Sequence, residues 1–343
     1  MFSFKNDYSE IAHPRILQKM LDTAYIQADG YGLEEFTYEA QDIIKKKINE
    51  ENVDIHFVSG GTQANLITIS ASLRAHEAVV AAESAHIVVD ETGAIEATGH
   101  RIYTIPTSDG KIRPEEVKSV FEENHDTNFA PYPKLVYISN PTELGTVYDK
   151  NELKAIHDCC KELGMYLFVD GARLACALTL DDVDIKFEDL PKVCDVFYIG
   201  GTKNGALYGE AIVICNDNLK PFFSWSIKQR GGLLSKTRVM ALQFTELLRD
   251  ELYLDLGRHA NELAKILTEG IKEAGYSFFV DSPTNQVFPV FPNEIMDKML
   301  EKYRFQTWTA VDDKTTAIRL VTSWATPKEV CCEFVEELIR ISK

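Results

Sequence analysis

Three short stretches of this sequence set reactive or charge-binding groups where apolar runs end. Ser59-Gly60-Gly61-Thr62 closes one run and opens a segment with helical spacing. Glycines there allow close backbone approach, and the free N–H groups of a helix start favour an anion. The same turn would also be served by Thr62 acting only as an N-cap. Asp170 follows the apolar run of "YLFVDGAR", where a carboxylate costs desolvation energy unless a cation or hydrogen-bond donors meet it. Arg173, three residues on, is the obvious candidate for an internal ion pair. Lys203 stands in "GGTKNG" between two apolar runs. Most lysines in turns are simply solvated, but one in low-dielectric surroundings near other cations loses its proton and becomes a nucleophilic amine.

The three together are more specific than any one. Pyridoxal 5'-phosphate needs a helix N-terminus for its phosphate and a lysine to hold it covalently. It also needs a carboxylate that keeps its pyridine nitrogen protonated, so that the ring accepts electrons. The chain supplies S-G-G-T, then D-G-A-R, then G-G-T-K, each after an apolar run that reads as a strand. Lys203 is therefore the residue expected to carry this cofactor.

Those groups need elements to position them. Helical spacing covers 33–49 and 62–76, and strands are expected at 53–58, 78–82 and 101–105. Pro114, with acids in the first turn, opens another helix. Strand 134–141, helix 150–164, strand 165–173 and strand 195–203 follow, and alternation of this kind implies a parallel sheet with crossover connections. The run at 210–215 follows Lys203 after too short a turn for a crossover and is expected to return antiparallel. In an open sheet of this class, ligands collect beyond the carboxyl ends of the strands, where all three motifs fall. From residue 240 long helices begin, and the remainder reads as a small α+β unit. The expected organisation is a large α/β domain over 1–250, including the N-terminal segment, and a small α+β domain over 251–343.

At 343 residues, with 45% hydrophobic and 26% charged side chains, the composition is that of a globular protein with a sizeable core. A formal net charge of −17 argues against partners approached through nucleic-acid phosphates or an anionic membrane surface. No apolar run is long enough for a transmembrane helix, and the first residues carry no secretory pattern. The seven cysteines, including the vicinal pairs Cys159-Cys160 and Cys331-Cys332, have neither disulfide-framework nor zinc spacing. No metal site is expected, and the compartment expected is the cytosol.

Beyond these motifs, an ordered set of residues resembles the L-threonine aldolases. These enzymes are similar to the β-eliminating lyases and belong to the fold type I, or aspartate aminotransferase, superfamily. The set is Ser59-Gly60-Gly61-Thr62-Gln63-Ala64-Asn65, Ala85-His86, Val169-Asp170-Gly171-Ala172-Arg173-Leu174, Thr202-Lys203 and Ile318-Arg319-Leu320-Val321-Thr322. It spans nearly the whole chain from Asn6-Asp7. The resemblance implies a mostly parallel, seven-stranded-type sheet covered by helices. It implies that Gly60, Gly61 and Thr62 bind the cofactor phosphate, that His86 lies over the pyridine ring and takes part in proton transfer, and that Asp170 pairs with the ring nitrogen. Lys203 would hold the cofactor. Arg173 and Arg319 would hold the substrate carboxylate, with Asn6 where the family has a serine. A charge in a strand as apolar as "AIRLVTSW" needs an anionic partner, and a bidentate carboxylate clamp or an ordinary buried ion pair would each supply one. The resemblance further implies a homotetramer built from dimers, with active sites at the subunit interface, and Lys228 and Tyr31 reaching across.

The sequence departs from the family pattern at two places. An asparagine-threonine-histidine motif is replaced by Asn140-Pro141-Thr142, so Thr142 stands where the histidine would be and Glu143 is the nearest ionisable group. A glycine-rich motif ending in arginine becomes Gly231-Gly232-Leu233-Leu234-Ser235, with Arg230 or Lys236 left to compensate. The expected reaction is cleavage of L-threonine, L-allo-threonine or a related β-hydroxy-α-amino acid to glycine and an aldehyde. The β-hydroxyl proton would leave to His86, Glu143 or an activated water. The altered Thr142-Glu143 stretch motivates the alternative of β-elimination, racemisation or transamination with the same cofactor. A non-catalytic relative would have no need of Asp170, Arg173 and Lys203 together. A nicotinamide-dependent enzyme would need a G-x-G-x-x-G after an early strand, which is absent.

Overall fold

A computed structural model describes residues 1–343. The strands are β1 (Phe2–Ser3), β2 (Asp54–Val58), β3 (Glu77–Ala82), β4 (Ile102–Ile105), β5 (Tyr132–Ser139), β6 (Tyr166–Asp170), β7 (Val196–Gly200), β8 (Glu210–Ile214), β9 (Phe278–Val280), β10 (Gln286–Pro292), β11 (Tyr303–Arg304), β12 (Gln306–Ala310) and β13 (Thr315–Val321). The helices are α1 (Pro14–Asp22), α2 (Glu35–Ile48), α3 (Gly61–Ser72), α4 (His86–Val89), α5 (Pro114–Asn124), α6 (Lys150–Glu162), α7 (Leu174–Ala177), α8 (Leu190–Val193), α9 (Phe223–Gln229), α10 (Arg238–Leu248), α11 (Leu252–Glu273), α12 (Asn293–Leu300) and α13 (Lys328–Ser342).

Seven strands form the central sheet in the order β2-β8-β7-β6-β5-β3-β4. All neighbouring pairs from β4 to β7 are parallel, and β8 alone runs against its neighbours β7 and β2. The reversal has a local cause. The nine residues from 201 to 209 contain no crossover helix, and a connection so short can only make a hairpin. Strands β3, β7 and β8 are buried along their whole length, as expected of strands covered on both faces, and this explains their apolar runs, which in β3 and β8 follow the leading Glu77 and Glu210. Helix α6 shows how sequence fixes the covering layer. Asp149 Oδ1 accepts the Glu152 N–H at 2.8 Å while Glu152 Oε2 accepts the Asp149 N–H at 2.9 Å, a reciprocal N-terminal cap. Gly164, at φ 67, follows the helix where a left-handed residue ends it.

The smaller sheet is antiparallel, in the order β12-β13-β10-β9, and covers a second apolar core of Phe4, Leu263, Leu267, Phe291, Phe334 and Leu338 among others. Phe4 packs edge-on against Phe334 at 5.5 Å between ring centroids, and β1 pairs with β11. The first residues of the chain thus join this second core, whereas the sequence grouped them with the large domain. The aromatic slot for Phe4 accounts for the difference. The segment that follows, Lys5 to Ser9, is consequently led between the two cores. Helix α11 contributes Tyr253 and Leu256 to the first core and Leu263 and Leu267 to the second.

Candidate active site

The carboxyl ends of β2, β3, β5, β6 and β7 bring the sequence motifs to one edge of the central sheet. At the end of β2, helix α3 begins at Gly61 and its first backbone bond runs from Ala64 N–H to Gly60 O, at 3.0 Å. The N–H groups of Gly61, Thr62 and Gln63 therefore have no partner within the chain. Gln63 turns back and accepts from both the N–H and the hydroxyl of Ser59, at 3.0 and 2.9 Å. A Cβ at Gly61 would lie 3.2 Å from the Tyr198 hydroxyl, so this turn sits directly against the site floor. Free donors at a helix N-terminus, with a glycine keeping the floor clear, fit the phosphate of the expected cofactor.

Asp170 ends β6 at 4% exposure and is held by four neutral donors. Oδ2 accepts from the Tyr137 hydroxyl at 2.5 Å and from Asn65 Nδ2 at 3.2 Å; Oδ1 accepts from the Ala172 N–H at 2.9 Å and from the Tyr198 hydroxyl. The ion pair with Arg173 considered from sequence is not formed. Burial and the Asp170 charge push both phenols well above their usual range, so they remain proton donors. A buried carboxylate without a cation is the arrangement a protonated pyridine nitrogen would complete.

His86 opens α4, and its Nδ1 lies 2.8 Å from Glu91 Oε1, which also accepts from Asn65 Nδ2 at 2.7 Å. Asn65 thereby links the His86–Glu91 pair to Asp170. The hydrogen bond to Glu91 raises the proton affinity of His86 against burial, which lowers it. Glu143 comes to the same place: its Oε1 accepts the His86 backbone N–H at 2.9 Å and the Ser139 hydroxyl at 2.6 Å. Burial raises its carboxyl above the ordinary glutamate value, opposed first by the Ser139 hydrogen bond. Thr142 is instead buried in its own turn. Its hydroxyl is 2.7 Å from that of Thr146, and a Cβ on Gly110 would lie 3.0 Å from Thr142 Oγ1. The position expected for a histidine is structural here, and the adjacent Glu143 supplies the ionisable group.

Arg173 is engaged by Asp7, with Nε 2.6 Å from Oδ2 and Nη2 3.1 Å from Oδ1, and Asn285 Nδ2 adds a third bond to Asp7 at 2.9 Å. One edge of the guanidinium remains for another anion. Arg319, on β13, has no carboxylate partner. Nη2 donates to Gln306 Oε1 at 2.6 Å and Nη1 to Gln286 Oε1 at 3.4 Å, its guanidinium lies 5.4 Å from the Trp308 ring centroid, and Nε is buried without a partner. Burial and then the Arg173 charge lower its pKa to about 10. Asn6 uses Oδ1 to accept the Tyr8 N–H and the Ser9 hydroxyl, both at 3.0 Å, which leaves its amide nitrogen free.

Lys203 lies in the β7–β8 hairpin. Burial and the Arg173 charge lower its pKa, while Asp7, Asp170 and Glu210 raise it. Lys228 and Tyr31 are not brought to this cluster by hydrogen bonds. They form an exposed pair of their own, with Lys228 Nζ 4.4 Å from the Tyr31 ring centroid. A surface depression of about 910 Å³ runs between α1, the 23–29 segment and the start of α10, and its lining includes none of the site residues. The sequence reading missed Asn65, Tyr137, Glu91, Tyr198 and Asp7 as parts of the site.

The geometry agrees with comparisons to known proteins. The model of the β-eliminating lyase family matches residues 11–293. A low-specificity L-threonine aldolase from Pseudomonas aeruginosa is 32% identical over 316 residues, covering 90% of this chain and 89% of that protein. The solved structure of a Leishmania major threonine aldolase superposes with a TM-score of 0.98 at 44% identity, covering 100% of both chains. Aspartate aminotransferase from Thermus thermophilus shares the fold, with a TM-score of 0.72 at 16% identity over 99% of this chain and 91% of that one. The chain belongs to the β-eliminating lyase family, and pyridoxal phosphate is its cofactor.

Proposed function

We propose that this chain is a pyridoxal phosphate-dependent aldolase that cleaves L-threonine, L-allo-threonine or a related β-hydroxy-α-amino acid to glycine and an aldehyde. The observation that carries the reading is Arg319: a buried guanidinium without a carboxylate of its own, beside a cluster built to hold an amine-linked cofactor. An α-carboxylate is the anion of matching size and charge. Bound at Asp170 and Lys203, the cofactor supplies an electron sink for charge left at the substrate Cα.

The chain's residues do the rest. The N–H groups of Gly61 and Thr62, after Gly60, hold the phosphate. Arg319 and the free edge of Arg173 fix the substrate carboxylate, with Asn6 Nδ2 as a further donor, and so set which bond at Cα is aligned for cleavage. Glu143 removes the β-hydroxyl proton, its raised proton affinity making it a stronger base than an ordinary glutamate. His86, its Nδ1 held by Glu91, would lie against the ring and leave Nε2 to take up or release a proton. Incubation with L-threonine and L-allo-threonine, followed by assays for glycine and acetaldehyde, tests the reading. Ammonia and a keto acid without glycine would instead show elimination and contradict it.

We further propose a homotetramer of dimers in the cytosol, with Tyr31 and Lys228 reaching a neighbouring subunit's site. Leu17, Leu21, Tyr25, Ile26 and Leu33 are exposed apolar side chains, of which Ile26 lines the depression, and such a surface needs a partner to leave water. All seven cysteines are free, as a reducing compartment would keep them. No helix is long and apolar enough to cross a membrane. A sedimentation profile of monomer alone would overturn the assembly.

A further inference from the structure

Glu210 is a buried acid to which the mechanism above gives no task. It is the first residue of β8, only 3% exposed, in a strand otherwise made of Ala211, Ile212, Val213 and Ile214. A carboxylate in such a strand needs a reason. Its Oε2 accepts the Gly201 N–H at 2.8 Å. Thr202 Oγ1 in turn accepts the Gly209 N–H at 3.0 Å. The two residues that precede Lys203 are thus tied across the mouth of its hairpin, Gly201 to Glu210 and Thr202 to the neighbouring Gly209.

Three carboxylates act on Lys203: Asp7 from the N-terminal segment, Asp170 from β6 and Glu210 from β8. Asp7 is committed to Arg173 and Asn285. Asp170 is held by four neutral donors and faces the ring nitrogen of the cofactor in the reading above. Glu210 is the carboxylate on the lysine's own hairpin, and Lys203 is the cation that acts on it. The other groups facing this pair are Asp170, the Tyr198 and Tyr253 phenols, Arg173 and His86. Both phenols stay protonated, and the Arg173 charge is matched by Asp7. Resting on the assignment of Lys203 as the cofactor lysine, we propose that Glu210 is its positioning carboxylate: it ties down the hairpin that carries the amine and, through its charge, sets the pH at which the amine becomes neutral. Burial raises the Glu210 carboxyl to about 7. Two groups so placed titrate as a pair.

The test reads the lysine itself, in the full-length chain freed of cofactor. Trace acylation with acetic anhydride across the neutral and alkaline range, followed by mass analysis of the Lys203 peptide, gives the midpoint at which the amine becomes reactive. In E210Q that midpoint moves down by about one pH unit, a tenfold change in the neutral fraction at a given pH, and E210D restores it towards the parent value. An unchanged midpoint in a folded E210Q overturns the proposal. By reciprocity, K203M raises the midpoint of the Glu210 carboxyl, read by infrared difference spectroscopy. An unmoved carboxyl there also overturns it, and this arm serves if E210Q does not fold. Reduction of the parent enzyme with borohydride separates the two claims. A cofactor adduct on another residue would end the assignment of Lys203, while the acylation midpoints would still decide the coupling to Glu210.

Discussion

The Tyr137 hydroxyl lies 2.5 Å from Oδ2 of Asp170, and the Tyr198 hydroxyl meets Oδ1 from the opposite side. The two phenols come from β5 and β7, the strands that flank β6 in the sheet, so the register of three parallel strands delivers both donors to one carboxylate. In the proposed reading, Asp170 would face the cofactor's ring nitrogen with these donors around it and no ion pair from the chain.

Y137F removes one donor to a buried charge, an interaction worth about 2 kcal/mol. The carboxylate then competes more strongly for the ring proton. The expected result is a kcat lower by about tenfold or more with KM for the amino acid little changed. Steady-state kinetics at saturating cofactor measures it, and a rise in KM alone would count against the role.

R319Q removes the uncompensated guanidinium. Truncating one partner of a buried charge pair costs about 2–5 kcal/mol, so kcat/KM for threonine should fall by at least about thirtyfold while cofactor content stays at the parent level. Glycine should raise the melting temperature of the parent protein and not of R319Q. Equal stabilisation of both would place the carboxylate elsewhere.

Much of this was legible in the sequence, and the reason is periodic. Continuous apolar runs ended in Gly-Gly-Thr, Asp-Gly-Ala and Gly-Gly-Thr-Lys, so Thr62, Asp170 and Lys203 declared themselves as polar residues at the ends of buried strands. Tyr137 and Tyr198 did not, because a tyrosine within an apolar strand reads as core until the register sets its hydroxyl beside a carboxylate. A neighbour rule would have found them: both lie on strands that flank the one ending in Asp170. Asp7 hid for another reason. Its partner Arg173 is 166 residues away, and only the Phe4 anchor in the second core brings the segment between them. Glu91, five residues after His86, carried a weak local signal that the short helix α4 makes readable only in three dimensions.

Glu143 should give the pH profile its acid limb. Its folded-state proton affinity is raised, so the carboxylate needed as base is lost at a pH above the ordinary glutamate value, and kcat for threonine cleavage falls there as pH drops. E143Q should lower kcat by about 10²–10⁴ and abolish that limb without loss of cofactor. A parent-like profile in E143Q would transfer the task to His86 or water.

His56 on β2 predicts a separate effect on stability. Its ring stacks on Phe223 at 5.2 Å, Nε2 is shielded without a partner, and burial lowers its pKa from 6.5 to about 4. Between those values the unfolded chain binds a proton that the folded chain refuses, so stability falls as pH drops through this window and levels off below it. The loss is about 2 kcal/mol after allowance for partial solvent screening. Chemical denaturation of H56F should show a flatter dependence over the same range, and an unchanged slope would contradict the assignment.

The most direct measurement is borohydride reduction of the purified enzyme followed by peptide mapping. A phosphopyridoxyl group on Lys203, absent together with the visible absorbance and turnover in K203A, is the result expected. A label on a different lysine, or K203A retaining both colour and cleavage of threonine, would contradict the account.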